Sequence, residues 1–123
     1  MNANRHQLGQ QGENSAASFL ISRGYKIIEK NFRTAAGEID IIAQDKNTLV
    51  FVEVKARQSL EYGFPEEAVT QSKIATITRV GEYYSKLHPE FPQALRIDVL
   101  ALGPKDETGH WRIKLFKNIH QNL

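Results

Sequence analysis

The stretch GEIDIIAQDKNTLVFVEVKAR, residues 37–57, constrains this chain more than any other. Two runs rich in branched apolar residues flank a polar QDKNT turn, the pattern of a β-hairpin. Charged residues nevertheless interrupt both runs at regular intervals: Glu38 and Asp40 in the first, Glu53 and Lys55 in the second. Side chains alternate between the faces of a strand, so Ile39, Ile41 and Ala43 are expected on one face, and Val50, Val52, Val54 and Ala56 on one face of the partner. Packing both sets against one core requires odd numbers to pair with even ones. A tight turn at Lys46 and Asn47, with Asp45 opposite Thr48, meets that condition. In this register Asp40 lies opposite Glu53 and Glu38 opposite Lys55, and the charges converge on one face.

Like charges directly opposed across a sheet are destabilising, and burial removes the solvent that would screen them. Lys55 offsets part of the repulsion. A hard divalent cation would do so better: Mg²⁺ takes oxygen ligands and uses one or two carboxylates together with waters and substrate phosphate oxygens. Acids that hold a cation, beside a lysine, make the kind of site that hydrolyses phosphodiesters.

The rest of the chain supplies a frame for this hairpin. Residues 6–23 read as a helix closed by Gly24, with Ala16, Ala17, Leu20 and Ile21 on its apolar stripe and Glu13 at the stripe's margin. YKIIEKNF, residues 25–32, reads as a strand. A helix is expected within residues 66–87, with Ile74, Ile77, Val80, Tyr84 and Leu87 inward and Thr70 or Ser72 as a cap for a second segment. His88-Pro89 ends it. Residues 94–102 read as a central strand, apolar on both faces, and residues 111–117 as a last, alternating strand. The order is αβββαββ, a mixed sheet flanked by helices in one domain spanning residues 1–123, the last few residues forming a tail. With 41% hydrophobic and 24% charged residues the chain has the balance of a globular domain, and no apolar run approaches a membrane span. The polar N-terminus lacks a signal-peptide core. Zero cysteines exclude disulfides and thiolate metal sites, which fits a cytoplasmic location. A net charge of +2 is too balanced to indicate nucleic acid by itself.

The spacing Asp40…Glu53-Val54-Lys55 resembles the D…(D/E)-x-K arrangement of the restriction-endonuclease-like nuclease superfamily, and the αβββαβ order matches that core. More closely, residues 9–57 resemble the YraN-like family of bacterial proteins, itself similar to archaeal Holliday-junction resolvases. The resemblance implies a Mg²⁺- or Mn²⁺-dependent DNA endonuclease acting on branched or otherwise unusual DNA. It implies Asp40 and Glu53 as metal ligands, Lys55 as the residue that orients the attacking water, and Glu13 as the helix acid completing the metal site. Glu38 matches the GEID of the YraN-like pattern without a role to assign, and Ile39 stands where the superfamily commonly has proline. DNA is the expected partner ahead of RNA, with no membrane, and a homodimer is an option by analogy with the resolvases. The competing reading is a catalytically silent DNA-binding or DNA-processing accessory protein on the same fold.

Outside the hairpin, Arg57, Gln71 and Lys73 are candidates for contacts with nucleic-acid phosphates. Arg96 and Asp98 share one face of the central strand and are expected to form an internal ion pair. His6, His88, His110 and His120 lack ligand spacing and read as surface residues. Trp111, Tyr83 and Tyr84 read as packing residues rather than base-stacking platforms. The chain has neither a phosphate-cradling glycine loop nor a Ser/His/Asp constellation.

Overall fold

In the computed structural model, which describes residues 3–61 and 63–119 (the side chains of residues 3–8 excepted), the expected order holds. Helix α1, Ala3–Ser22, is followed by strands β1, Lys26–Thr34, β2, Gly37–Asp45, and β3, Thr48–Ala56. A short 3-10 turn, Pro65–Ala68, precedes helix α2, Gln71–Leu87, and the chain ends on β4, Ala94–Lys105, and β5, Trp111–Phe116. The five strands lie in the order β1-β2-β3-β4-β5. Only β3 and β4 run parallel, which is why a helix has to cross between them. The result is a single α/β domain with a mixed sheet between two helices, consistent with a restriction-endonuclease-like core. The suggested tail and the side chains of His6 and His120 lie outside the described residues.

Local chemistry sets the ends of the helices. Gly24, at φ 91°, occupies the left-handed position after α1, and the Tyr25 N–H donates back to the Leu20 carbonyl at 3.0 Å. Thr70 caps α2, its hydroxyl accepting from the Lys73 N–H at 3.1 Å.

The sheet buries a different cluster on each face. Ala16, Ala17 and Leu20 of α1 pack on Ile41, Ala43, Val50, Val52, Leu100 and Leu102. On the other face Ile74, Ile77, Val80 and Tyr84 of α2 pack on Ile42, Leu49, Phe51 and Ile97. Two residues placed on the apolar stripes, Ile21 and Leu87, prove to be exposed, each lying in the last turn of its helix. Tyr83, read as a packing residue, is 52% exposed, whereas its neighbour Tyr84 is buried and donates to Glu29 at 3.1 Å.

α2 approaches the sheet closely at Gly81. A Cβ there would stand 2.5 Å from the Phe51 ring, which is itself buried. Gly81→Ala is therefore expected to destabilise the protein by about 1–3 kcal/mol despite alanine's higher helix propensity, since an overpacked core outweighs that gain. Urea denaturation checks this, and a stabilised variant would refute the close packing.

The far end of β4 carries the expected ion pair within a larger network. Arg96 Nε donates to Asp98 Oδ1 at 3.0 Å, and its Nη2 reaches Asp45 Oδ2 and the Tyr25 hydroxyl at 2.9 Å each. Tyr25 donates to Asp98 Oδ2 at 2.8 Å, and the Asn118 N–H donates to Asp98 Oδ1, which it shares with Arg96, at 3.0 Å. Asp98 is fully buried, and every polar atom around it is matched. This network is structural: it clamps β2, β4 and the start of β1.

Candidate active site

The β2–β3 register follows the sequence parity from Asp45↔Thr48 to Ile41↔Val52, with Lys46 at φ 55° in the turn. There the ladder stops, one pair short of Asp40 and Glu53. The Val54 N–H donates instead to Asp40 Oδ2, at 2.8 Å. On the opposite side of β2, Asn31 adopts a left-handed conformation, φ 57°, abreast of Asp40 between the pairs Lys30↔Ile41 and Phe32↔Ile39.

This irregularity corrects the strict alternation expected along β2. Ile39 packs in the α2 cluster with Ile42, while Ile41 packs in the α1 cluster with Ala43. Ile39 and Ile41 therefore do not share a face. A local kink at Asp40 reverses the pleat, where the Asp40 side chain takes the place of the ladder to β3 and Asn31 of β1 turns left-handed beside it. Glu38 is displaced from its expected partner by the same kink. It pairs in register with Arg33 and forms an ion pair with it at 3.4 Å, rather than lying against Lys55.

Asp40 and Glu53 nevertheless meet, near enough that the charge of Asp40 raises the Glu53 carboxyl. Glu53 is 3% exposed. Burial, and then the charge of Asp40, push its carboxyl up to about 7. Burial likewise raises Asp40, while the Val54 N–H pulls it back. Two lysines converge on the same glutamate oxygen: Lys55 Nζ at 3.6 Å, from β3, and Lys73 Nζ at 3.7 Å, from the first turn of α2. Lys73, expected only at the phosphates, thus belongs to the acid pair. Both lysine side chains stay about a third exposed, so solvent can reach them.

The remaining candidates spread outward. Glu13 lies half-buried on α1, its carboxyl raised first by burial and also by Asp40 and Glu38, and lowered by a hydrogen bond from the Asn31 side chain. It feels the pair's field without joining it. Among the described residues no three His, Cys, Asp or Glu side chains gather closely enough to hold an ion, so Glu13 does not complete a three-acid set here. Arg57 extends β3, its N–H donating to the Leu102 carbonyl at 2.9 Å. Gln71 is exposed and lines a separate crevice with Val69, Ile74 and Val99. His110 is exposed, whereas His88 is half-covered, stacked on Tyr84 with ring centroids 4.3 Å apart.

The donor set suits Mg²⁺ or Mn²⁺. Two hard carboxylates on adjacent strands leave the other positions to water and substrate oxygens, as Mg²⁺ prefers, and nitrogen or sulfur ligands for a softer ion are missing from the pair. Burial, and then the charge of Asp40, raise the Glu53 carboxyl, and a cation would offset both.

Comparison with known proteins agrees with the resemblance read from the sequence. The chain is 45% identical over 115 residues to a UPF0102 protein of Chlorobium phaeobacteroides strain BS1, covering 94% of this chain and 90% of that one. It is 42% identical over 115 residues to a UPF0102 protein of Caldicellulosiruptor saccharolyticus, covering 94% and 98%. A UPF0102 protein of Thermodesulfovibrio yellowstonii is 47% identical over 102 residues, covering 82% and 89%. No helix among the described residues is long and apolar enough to cross a membrane. Asp40, Glu53, Lys55 and Lys73 all fall within residues 12–102, the segment that matches the family model, and the chain belongs to the Uncharacterised protein family UPF0102.

Proposed function

We propose that this protein is a Mg²⁺- or Mn²⁺-dependent endonuclease that hydrolyses phosphodiester bonds in branched or otherwise unusual DNA. The observation that carries this reading is the Asp40–Glu53 pair, a buried carboxylate contact with a cation demand, set where β2 and β3 part and served by two lysines. Asp40 and Glu53 are the residues that would hold the ion. When bound, such an ion supplies Lewis-acid stabilisation of the charge that develops on the phosphate oxygens.

The protein's own groups do the rest. The Val54 N–H fixes the Asp40 carboxylate, so the ligand is oriented before any substrate arrives. Lys55 orients the attacking water and favours its deprotonated form. Lys73, released from Glu53 once the acid pair is neutralised, faces the scissile phosphate. Glu13 and Glu38 add negative potential at the α1 side, which favours cation capture.

A catalytically silent DNA-binding accessory protein is the second reading. It is favoured by one observation: Lys55 and Lys73 already engage Glu53, giving a charge balance that can persist without metal. Purified protein incubated with linear, nicked, flapped and four-way DNA, and with matching RNA, discriminates the two. Metal-dependent strand scission on any of them supports the nuclease. Binding without scission under all metals leaves the accessory reading.

A further inference from the structure

We infer that the groove between the β1–β2 turn and the C-terminal half of α2 is a binding site for unpaired nucleic acid, with Tyr83 as the platform on which one base stacks. This rests on the nuclease reading for the origin of the strand and adds the form of substrate that the site takes.

The groove encloses about 580 Å³, on the scale of a small-ligand site. Phe32, Ala35, Tyr83 and Leu87 give it apolar walls, and among the described residues Arg33 and Arg79 are its only charged lining residues. Both arginines are exposed, and Arg79 forms no ion pair among the described residues. A positively charged groove with an exposed aromatic ring is the composition that accommodates a single strand: cations follow the backbone while the ring stacks with any base. A peptide or second copy of the chain would use the apolar walls but has no need of the unpaired Arg79, the one groove cation that no carboxylate matches among the described residues, since Arg33 pairs with Glu38. The exposure of Tyr83 is itself informative, since the adjacent Tyr84 supplies the packing that α2 requires.

Position ties the groove to the acid pair. Lys73, Thr76, Val80, Tyr83 and Leu87 recur at intervals of three and four and form one stripe along α2. Lys73 touches Glu53 at one end, and Tyr83 lies ten residues on, about 15 Å along the helix. Between them Gly37 seats the β1–β2 turn on Thr76 and Val80. The neighbouring turn residues, Ala35 and Ala36, are exposed and carry only methyl groups, so a strand can pass over them from the acid pair to the groove. A duplex cannot present a base face to Tyr83. An unpaired arm of a flap or junction can.

The test is fluorescence anisotropy with metal-free wild-type protein and labelled oligothymidylate of about 16 nucleotides, the upper range for one single-strand groove. Tyr83→Ala is expected to weaken this binding by roughly five- to 150-fold, as the loss of one base–aromatic stack does, and to change binding of a blunt duplex by less than about twofold. Tyr83→Phe should retain wild-type affinity, because the ring and not the hydroxyl stacks. Arg79→Ala should lower the salt dependence by about one counterion. The inference fails if Tyr83→Ala binds the single strand like wild type, if Tyr83→Phe is as weak as Tyr83→Ala, or if wild type does not bind the single strand. It also fails if sedimentation shows a dimer that Tyr83→Ala dissolves, since the groove is then an interface between copies. Tyr83-dependent binding without cleavage of any substrate would remove the nuclease and keep the groove. Cleavage of junctions unaffected by Tyr83→Ala would do the opposite.

Discussion

Asp40→Asn is expected to lose metal-dependent cleavage by about 10²- to 10³-fold, the scale of removing one pre-oriented electrostatic group, while the folded protein becomes no less stable. The two halves of this expectation have one cause. In the wild type Asp40 contributes one ionic partner to a buried acid pair, and the lysines that offset the pair reach Glu53, not Asp40. Asparagine retains an oxygen that can accept the Val54 N–H and removes the charge that Glu53 opposes. Its melting temperature should therefore equal or exceed that of metal-free wild type near neutral pH. The same change removes a proposed ligand, so the rise in stability expected when a cation binds the wild type, about 2.7 kcal/mol at a hundredfold excess over its dissociation constant, should vanish. Asp40→Ala separates charge from hydrogen bonding, because it leaves the Val54 N–H without an acceptor and should cost about 1–3 kcal/mol. Single-turnover cleavage and thermal scans with and without Mg²⁺ measure all three quantities. An asparagine variant that keeps the full metal-induced shift would rule out Asp40 as a ligand.

The parts of this site that alternation could reveal were legible in the sequence, and the parts that depend on its local failure were not. Period-two spacing sufficed to bring Asp40, Glu53 and Lys55 together, since a hairpin with a two-residue turn has its register fixed by its apolar residues. The same rule misplaced Ile39 and Glu38. Alternation presumes an unbroken pleat, and the kink arises from a side chain, Asp40, bonding to backbone across the gap. The left-handed Asn31 had a weak signal in its residue type, because asparagine tolerates that conformation, but nothing local announces that Glu13 will need its amide. Lys73 was found as a basic residue at a helix start, and its contact with Glu53 comes only from docking α2 on the sheet. Tyr83 and Tyr84 look alike in sequence. A helix separates neighbours by about 100°, so one fills the core and the other faces the groove.

The metal-free protein should lose stability as pH rises through the range in which Glu53 gives up its proton, and Glu53→Gln should remove that loss. In the unfolded chain this carboxyl titrates at its ordinary value, 4.5, whereas in the native state burial and Asp40 hold it near 7. The native state therefore binds more protons than the unfolded state between these values, and stability must fall with rising pH there. The contribution is fully present below pH 4.5 and is gone once pH has passed 7. Its size is about 3 kcal/mol, from the linkage between pKa shift and free energy. Other carboxylates also titrate in the acid range, so the quantity to follow is wild type minus Glu53→Gln, in which their contributions cancel. Glutamine has the shape of the protonated acid and still donates to Asp40, so the two proteins should be similarly stable at pH 4.5 and diverge by pH 8, with the variant ahead. Mg²⁺ should reverse the order for the wild type, because binding takes the place of the proton and is unavailable to Glu53→Gln. A salt-bridged structural face gives the opposite sign: Glu53 would be stabilised in its charged form by Lys55 and Lys73, and its replacement would cost most at high pH. Urea titrations of both proteins from pH 4.5 to 8 decide between them. A wild type that outlasts Glu53→Gln at pH 8 without metal would mean that the lysines, and not a missing cation, satisfy the acid pair.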